Sequence, residues 1–453
     1  MPSIARVRIP CAFIIIFFAF VIAGCTHQPQ SGLADATDCS LEDQRYAAGI
    51  GMNTTLLAVF QDELLWCMEN NRTFDNDRAL ALLDSFVLAP DTGIIELDRS
   101  NPLRSNNLAI RSDLLRMLIL QRKNASYAPE FGPVMGKLGQ YGFASDGYMT
   151  WYEGSGYLVY TLAAVKEANL HFINPELLAF EESSERWLSD FALPDGTLAP
   201  IGDTALDAAY AGPETANGTA GPNRTADRIV HTDHETAVFF DEGKGYLLFR
   251  HPVKNAAPGI SLRNDFHVPF DFGSAWLWYG GEWVLRPVGY PGYSLKGSAG
   301  LDDKFNYNIQ SADRIGGDFT QKDFESLDIL RYLGSWRAKN SVLVPEAAVQ
   351  RKEYPDRYEL SFSYSINTGE GGSHENYSRK VVLYRNRQRM EIIDSNPANA
   401  SSYLMVSDAA NITSASPVSC GYEGKWSPAW GRVEKSRRCS VGGGTVLNYA
   451  VEW

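Results

Sequence analysis

Four cysteines, Cys39, Cys67, Cys420 and Cys439, carry the most constrained chemistry in the chain. Paired thiols can hold a metal, exchange electrons or close a disulfide. Their spacings resemble neither a zinc ribbon nor a redox CxxC. An even number, split into one near pair at each end, predicts two local disulfides in an oxidising compartment: Cys39 with Cys67, and Cys420 with Cys439. A second concentration of chemistry-bearing types is SDGYMTWYEGSGYLVYTL, Ser145 to Leu162, where Trp151, Tyr152 and Tyr160 lie close together. Such rings either stack against the faces of a ligand or pack in a core.

The N-terminus bears on where that chemistry takes place. Arg6 and Arg8 precede an apolar run from Ile9 to Ile22, then Ala23 and Gly24 directly before Cys25. This is the pattern of a secretory signal. The run is too short, and too abruptly ended by Thr26, His27 and Gln28, to span a bilayer as a mature helix. Its last four residues, IAGC, resemble a bacterial lipobox, which would make an acylated Cys25 the first mature residue; an ordinary cleaved signal with an incidental Cys25 is the other reading. Thr26 in place of Asp resembles the outer-membrane sorting pattern. The expected location is therefore the bacterial cell envelope, lipid-anchored at the outer membrane and facing the periplasm.

The net charge of -13 and pI near 5.1 argue against general attraction to nucleic acid or anionic polymers, since the surface repels them at long range. An acidic ligand must be held by local positive groups. With 44% hydrophobic residues the chain can bury substantial cores and still line a groove with rings.

The elements that must position these groups change character along the chain. From about residue 53 to 192 apolar residues recur at helical spacing, as in Leu56, Leu57, Phe60, Leu64 and Leu65, and in Leu114, Leu115, Leu118 and Leu120. One helix is signalled fully: Asn174 caps, Pro175 suits the first turn, and Leu177, Phe180, Trp187, Leu188 and Phe191 line one face. Short connections between such segments predict stacked helical hairpins. From Ala205 to Arg228 periodicity gives way to Gly, Ala, Thr and Asn, as a linker would. Beyond it, GYLLFRH, SAWLWYGGEWVLRP, RYELSFSYSI and KVVLYRNRQRMEIIDS read as strands joined by turns, with a hairpin at Gly280 and Gly281. The expected organisation is α+β and multidomain: a signal over 1–25, a helical domain over 26–204, a linker over 205–228 and an antiparallel β-sandwich over 229–453.

Four patches, in order, resemble the heparinase II/III-like polysaccharide lyases and their alginate-lyase relatives. The first is LRSNNLAIRSDLL, Leu103 to Leu115, with Asn107 at the family's Asn, Asn106 the alternative register, and Leu108 where a His often stands. The second is the stretch from Ser145 to Leu162, whose DG and EGS precede Tyr157 at the catalytic tyrosine position. The third, LPDGTLAPIGDT, resembles a loop that serves structure, so Asp195 and Asp203 receive no catalytic role. The fourth, NDFHVPFDFGSAWLWYGGEWVLRPVGY, resembles HxHxDxxS, with His267, Asp271 and Ser274 at the first His, the Asp and the Ser.

The resemblance implies an incomplete (α/α) toroid followed by the sandwich, and a β-elimination on a uronic-acid polysaccharide. Asn107, aided by Arg104, Arg111 or Arg263, would stabilise charge developing on the carboxylate as the neighbouring C–H bond breaks. His267, with a near-neutral pKa, suits the base, and Tyr157, normally protonated, suits the acid. Trp151 and Tyr152 would contribute to substrate binding. Departures from the pattern bear on metal: Pro269 replaces the second His and Arg286 the later Asp, and neither can ligate zinc. Neither a family-type zinc nor another cofactor is expected. The implied partners are an acidic polysaccharide and, through the lipid, a membrane. The same departures motivate a second reading, a catalytically silent polysaccharide-binding or exopolysaccharide-secretion lipoprotein on this scaffold. A third, a glycoside hydrolase, needs two carboxylates across the scissile bond. Glu153 and Asp195 could be nominated, but no spacing forces them together.

Overall fold

The computed structural model describes residues 39, 54–88, 107–151, 154–202, 204–209, 226–233, 235–250, 274–289, 310–311, 349–367, 374–395, 401–429, 431–442 and 444–453. The chain divides into two compact units, residues 1–151 with 157–187, and residues 152–156 with 188–453. Six helices and large antiparallel sheets among the described residues make the fold mixed α+β.

The helices are α1 (Thr54–Glu69), α2 (Asn76–Leu88), α3 (Asn107–Lys123), α4 (Gly132–Tyr141), α5 (Ser155–His171) and α6 (Pro175–Phe191). The periodic residues behave as their spacing demands, with Leu57, Phe60, Leu64, Leu65, Leu114, Leu115 and Leu118 all buried. At α6 the Asn174 Oδ1 accepts the backbone N–H groups of Glu176 and Leu177, each at 3.0 Å, as a cap should. Its apolar face, Leu177, Phe180, Trp187, Leu188 and Phe191, is buried throughout.

Ion pairs define the directions of neighbouring helices. Arg116 of α3 pairs with Asp84 of α2, and Lys123 with Asp77, which is the order of an antiparallel pair. Asn169 on α5 bonds Glu181 on α6, and Lys166 pairs with Glu185, so these two also run antiparallel. A two-stranded hairpin interrupts the helical region: β1 (Gly142–Ser145) pairs with β2 (Tyr148–Trp151) across an Asp146–Gly147 turn. The DG of the second patch is thus a turn element.

The second unit carries two sheets. Its strands are β3 (Arg228–His231), β4 (Glu235–Phe240), β5 (Gly245–Arg250), β6 (Ala275–Tyr279), β7 (Glu282–Leu285), β8 (Gln310–Ser311), β9 (Gln350–Glu353), β10 (Arg357–Asn367), β11 (His374–Tyr384), β12 (Arg389–Ser395), β13 (Ser401–Val406), β14 (Asn411–Ser414), β15 (Val418–Ala429), β16 (Arg432–Val441) and β17 (Val446–Glu452). One sheet runs β15-β16-β13-β7-β6-β5-β4-β3 with β8 beside β13, and the other β14-β17-β12-β11-β10-β9. Gly280 and Gly281 turn β6 into β7 with φ of 59° and 96°, a left-handed pair that side-chain-bearing residues rarely adopt.

Both sheets feed a single buried cluster, in which Val238, Phe249 and Leu285 of the first meet Leu360, Val381 and Ile392 of the second. Within it Asp394 accepts two bonds from Arg379, at 2.7 Å each, and one from the Tyr449 hydroxyl at 2.8 Å. Ser402, on β13 of the first sheet, donates to the same carboxylate. The buried charge pair lies on adjacent strands of one sheet, and the Ser402 hydroxyl ties it to the other. The two expected disulfides are present, Cys39–Cys67 and Cys420–Cys439. The second staples residues directly opposite each other on β15 and β16.

Candidate functional site

Asn107 is the first residue of α3, and Tyr157 lies half-buried in the first turn of α5. The link between these helices is Gln61 of α1, which is fully buried. Its Nε2 donates to the Leu108 carbonyl and to the Ser112 Oγ, each at 2.8 Å, while its Oε1 accepts the Tyr160 hydroxyl at 3.2 Å. One amide thus joins the first turns of α3 to the second turn of α5. It can do so because Leu108 follows Asn107 directly and Tyr160 lies one turn beyond Tyr157.

Arg111 lies beneath this link, and here the sequence expectation needs correction. Expected to face a substrate, its side chain is 1% exposed; Nη2 donates to Asp62 Oδ1 at 2.7 Å, and the guanidinium lies 3.4 Å over the Tyr160 ring. Its charge is engaged internally, so it acts on α1, α3 and α5 rather than on a ligand in solution. Trp151, the other described residue expected to bind substrate, is also buried, edge-on to Phe180 at 6.0 Å, and belongs to the core. An aromatic cluster in a sequence does not distinguish wall from core, and here the β1–β2 hairpin turns Trp151 inward.

A second acid, Glu69, acts on Arg111 besides Asp62. Burial pushes the Asp62 carboxyl above its ordinary value even though Arg111 opposes the shift. Burial, then the Glu167 carboxylate, push Glu69 upward as well. Glu167 in turn meets His171 Nε2 at 3.1 Å. Sequence reasoning missed Gln61, Asp62, Glu69 and Glu167. The available signal was Gln61-Asp62 set between the apolar positions Phe60 and Leu64.

This crowding of acids has a measurable consequence. With its folded pKa raised, Glu69 holds a proton in the folded chain that the unfolded chain releases, so stability falls as pH rises from the ordinary 4.5 through the folded value. Glu69→Gln is expected to raise Tm near neutral pH and to give no gain at about pH 4, where both chains are protonated. Thermal melts at the two pH values check this; an unchanged Tm near neutrality contradicts it.

The second and third patches meet in the second unit. Gly154, with φ of 111°, forms an isolated antiparallel bridge with Gly202. The Ser155 N–H reaches the Ile201 carbonyl at 3.4 Å, and the Gly156 N–H reaches Thr204 Oγ1 at 3.2 Å. Two amides that α5 leaves open at its start are thereby satisfied by the loop carrying GDT. Asp195 accepts from the N–H and hydroxyl of Thr197, at 2.9 and 2.7 Å, which is a turn role.

In the fourth patch, Ser274 is buried and its carbonyl accepts the Arg250 N–H at 3.0 Å. Arg286 bonds Ser436 Oγ at 2.9 Å and covers the Trp426 ring at 4.4 Å, so this cation serves the packing of β16. Cys25, Arg104, Asn106, Tyr152, Glu153, Asp203, Arg263, His267, Pro269 and Asp271 lie outside the described residues. Among the described residues, no helix is long and apolar enough to cross a membrane. No protein-family model matches this chain, and no curated protein matches it.

Proposed function

We propose that this chain is a polysaccharide lyase of the heparinase II/III-like kind, anchored in the bacterial envelope through a lipid on Cys25 and cleaving a uronic-acid polymer by β-elimination. The observation that carries the reading is the Gln61 link, which ties the start of α3 to the second turn of α5, one turn beyond Tyr157. Asn107 and Tyr157 come from different patches, and a shared helix end is the arrangement an amide and a phenol need to act on one sugar. On this reading the helices form part of an incomplete toroid and the two sheets a β-sandwich.

The reaction follows from the residue types. A base, His267 or Tyr157 itself, takes the C5 proton beside the carboxylate. The electron pair forms the C4–C5 double bond, the C4–O bond breaks, and the leaving oxygen takes a proton from Tyr157. Asn107 donates to the carboxylate as charge develops on it.

The alternative, a silent polysaccharide-binding lipoprotein, draws on Arg286, whose stacking on Trp426 commits it to packing where the family places a metal ligand. Incubating the chain with alginate, glycosaminoglycans and bacterial exopolysaccharides separates the two. New ultraviolet absorbance from an unsaturated uronate is the expected result. Binding without absorbance on every polymer would favour the silent protein.

A further inference from the structure

Seven large apolar side chains are exposed among the described residues, and four of them, Trp66, Leu170, Ile173 and Leu178, belong to one end of the helical unit. Scattered single apolar residues need no explanation, but a concentration at one end does. The C-terminal ends of α1, α3 and α5 gather there: Gln121 Nε2 donates to the His171 carbonyl at 3.3 Å, and Arg122 Nη2 to the Arg72 carbonyl at 3.0 Å. Glu69 and Glu167 interact electrostatically across the same end. Ile173, 103% exposed, and Leu170, 78% exposed, crown the α5–α6 connection, with Leu178 beside them on α6 at 48%. Trp66, 40% exposed, lies on the last turns of α1.

The course of the chain says what covers this end. Cys39 is disulfide-bonded to Cys67, next to Trp66, and its N–H donates to the Thr73 carbonyl at 2.7 Å. The tether therefore reaches the helical unit at this end. Only fourteen peptide bonds separate Cys25 from Cys39, a span of at most roughly 50 Å. We infer that the end formed by Trp66, Leu170, Ile173 and Leu178 docks on the bilayer that holds the Cys25 lipid. The inference rests on the lipid-anchor part of the proposed function. Lys123 is paired with Asp77, and Arg122 bonds the Arg72 carbonyl and covers the Phe74 ring, so insertion is driven by apolar contact rather than by anionic lipid. Asn107 and Tyr157 lie towards the N-terminal ends of α3 and α5 and so face away from the membrane.

The test uses the lipidated full chain, reconstituted in vesicles of phosphatidylethanolamine and phosphatidylglycerol. An environment-sensitive thiol label is placed at Ile173→Cys or at Ala144→Cys. Both positions are exposed, and the four disulfide cysteines do not react. Ala144 sits on the hairpin that Arg186 of α6 contacts through the Gly147 carbonyl, far along α6 from Ile173. The label at 173 is expected to blue-shift and brighten by about twofold or more on vesicles, and to be quenched by acyl-chain nitroxides, while the label at 144 does neither. An aqueous signal at 173, with the lipid found on Cys25 by mass spectrometry and the chain bound to vesicles, overturns the docking face and leaves the anchor standing. An unmodified Cys25 overturns the anchor and the docking face with it.

Discussion

Tyr157→Phe is expected to lower turnover roughly 10²–10⁴-fold, the usual worth of a positioned general acid or base. On the proposed lyase reading the phenol protonates the departing C4 oxygen, a step the phenyl ring cannot perform. The substitution removes one oxygen from a half-buried residue in the first turn of α5 and keeps the ring itself. Helix content and Tm should therefore remain close to those of the parent chain, and KM should move far less than kcat. Initial rates by ultraviolet absorbance, paired with thermal melts, check both halves. A folded Tyr157→Phe chain with undiminished turnover would remove Tyr157 from the chemistry.

Asp394→Ala is expected to cost about 3–5 kcal/mol of stability, the range for stripping one partner from a buried ion pair. The Arg379 guanidinium is 1% exposed and Asp394 0%, so neither charge can turn to water when the other is lost. The loss is compounded because the Tyr449 and Ser402 hydroxyls both donate to the same carboxylate. Burial, then the Asp394 charge, hold the Tyr449 phenol well above its ordinary value, so Tyr449 cannot supply a replacement anion. Replacing both partners with apolar residues, Arg379→Met with Asp394→Leu, should recover most of the loss, because no unpaired charge is then buried. Urea titrations of the three chains decide the matter. A double variant as unstable as Asp394→Ala would contradict this account.

Features governed by neighbours in sequence were legible. The Asn174 cap and the apolar face of α6, the Gly280–Gly281 hairpin and the two disulfides are all local, and each stands as its residues indicated. Long-range pairing was not legible. Arg111 read as a cation available to a ligand because its neutralising partner, Asp62, is 49 residues away. Gln61 is comparably distant from Leu108 and Ser112, and further still from Tyr160. Arg379 and Asp394 lie on strands of alternating pattern, where their buried side chains are indistinguishable from solvent-facing charges until β11, β12 and β13 are brought together. The second and third patches were read as separate stretches, and only the Gly154–Gly202 bridge joins them. Backbone direction likewise decided Trp151, whose type suited a binding wall as well as a core.

On the proposed reading the glycosidic bond is broken by elimination, with no water consumed. The most direct measurement is the mass of the products formed in heavy-oxygen water from whichever uronate polymer the chain cleaves. β-Elimination predicts a new non-reducing end that is unsaturated, lighter than the hydrolytic product by one water, with no heavy oxygen entering during bond cleavage. Products that carry the full mass of water, with heavy oxygen fixed at the cleaved bond, would contradict it.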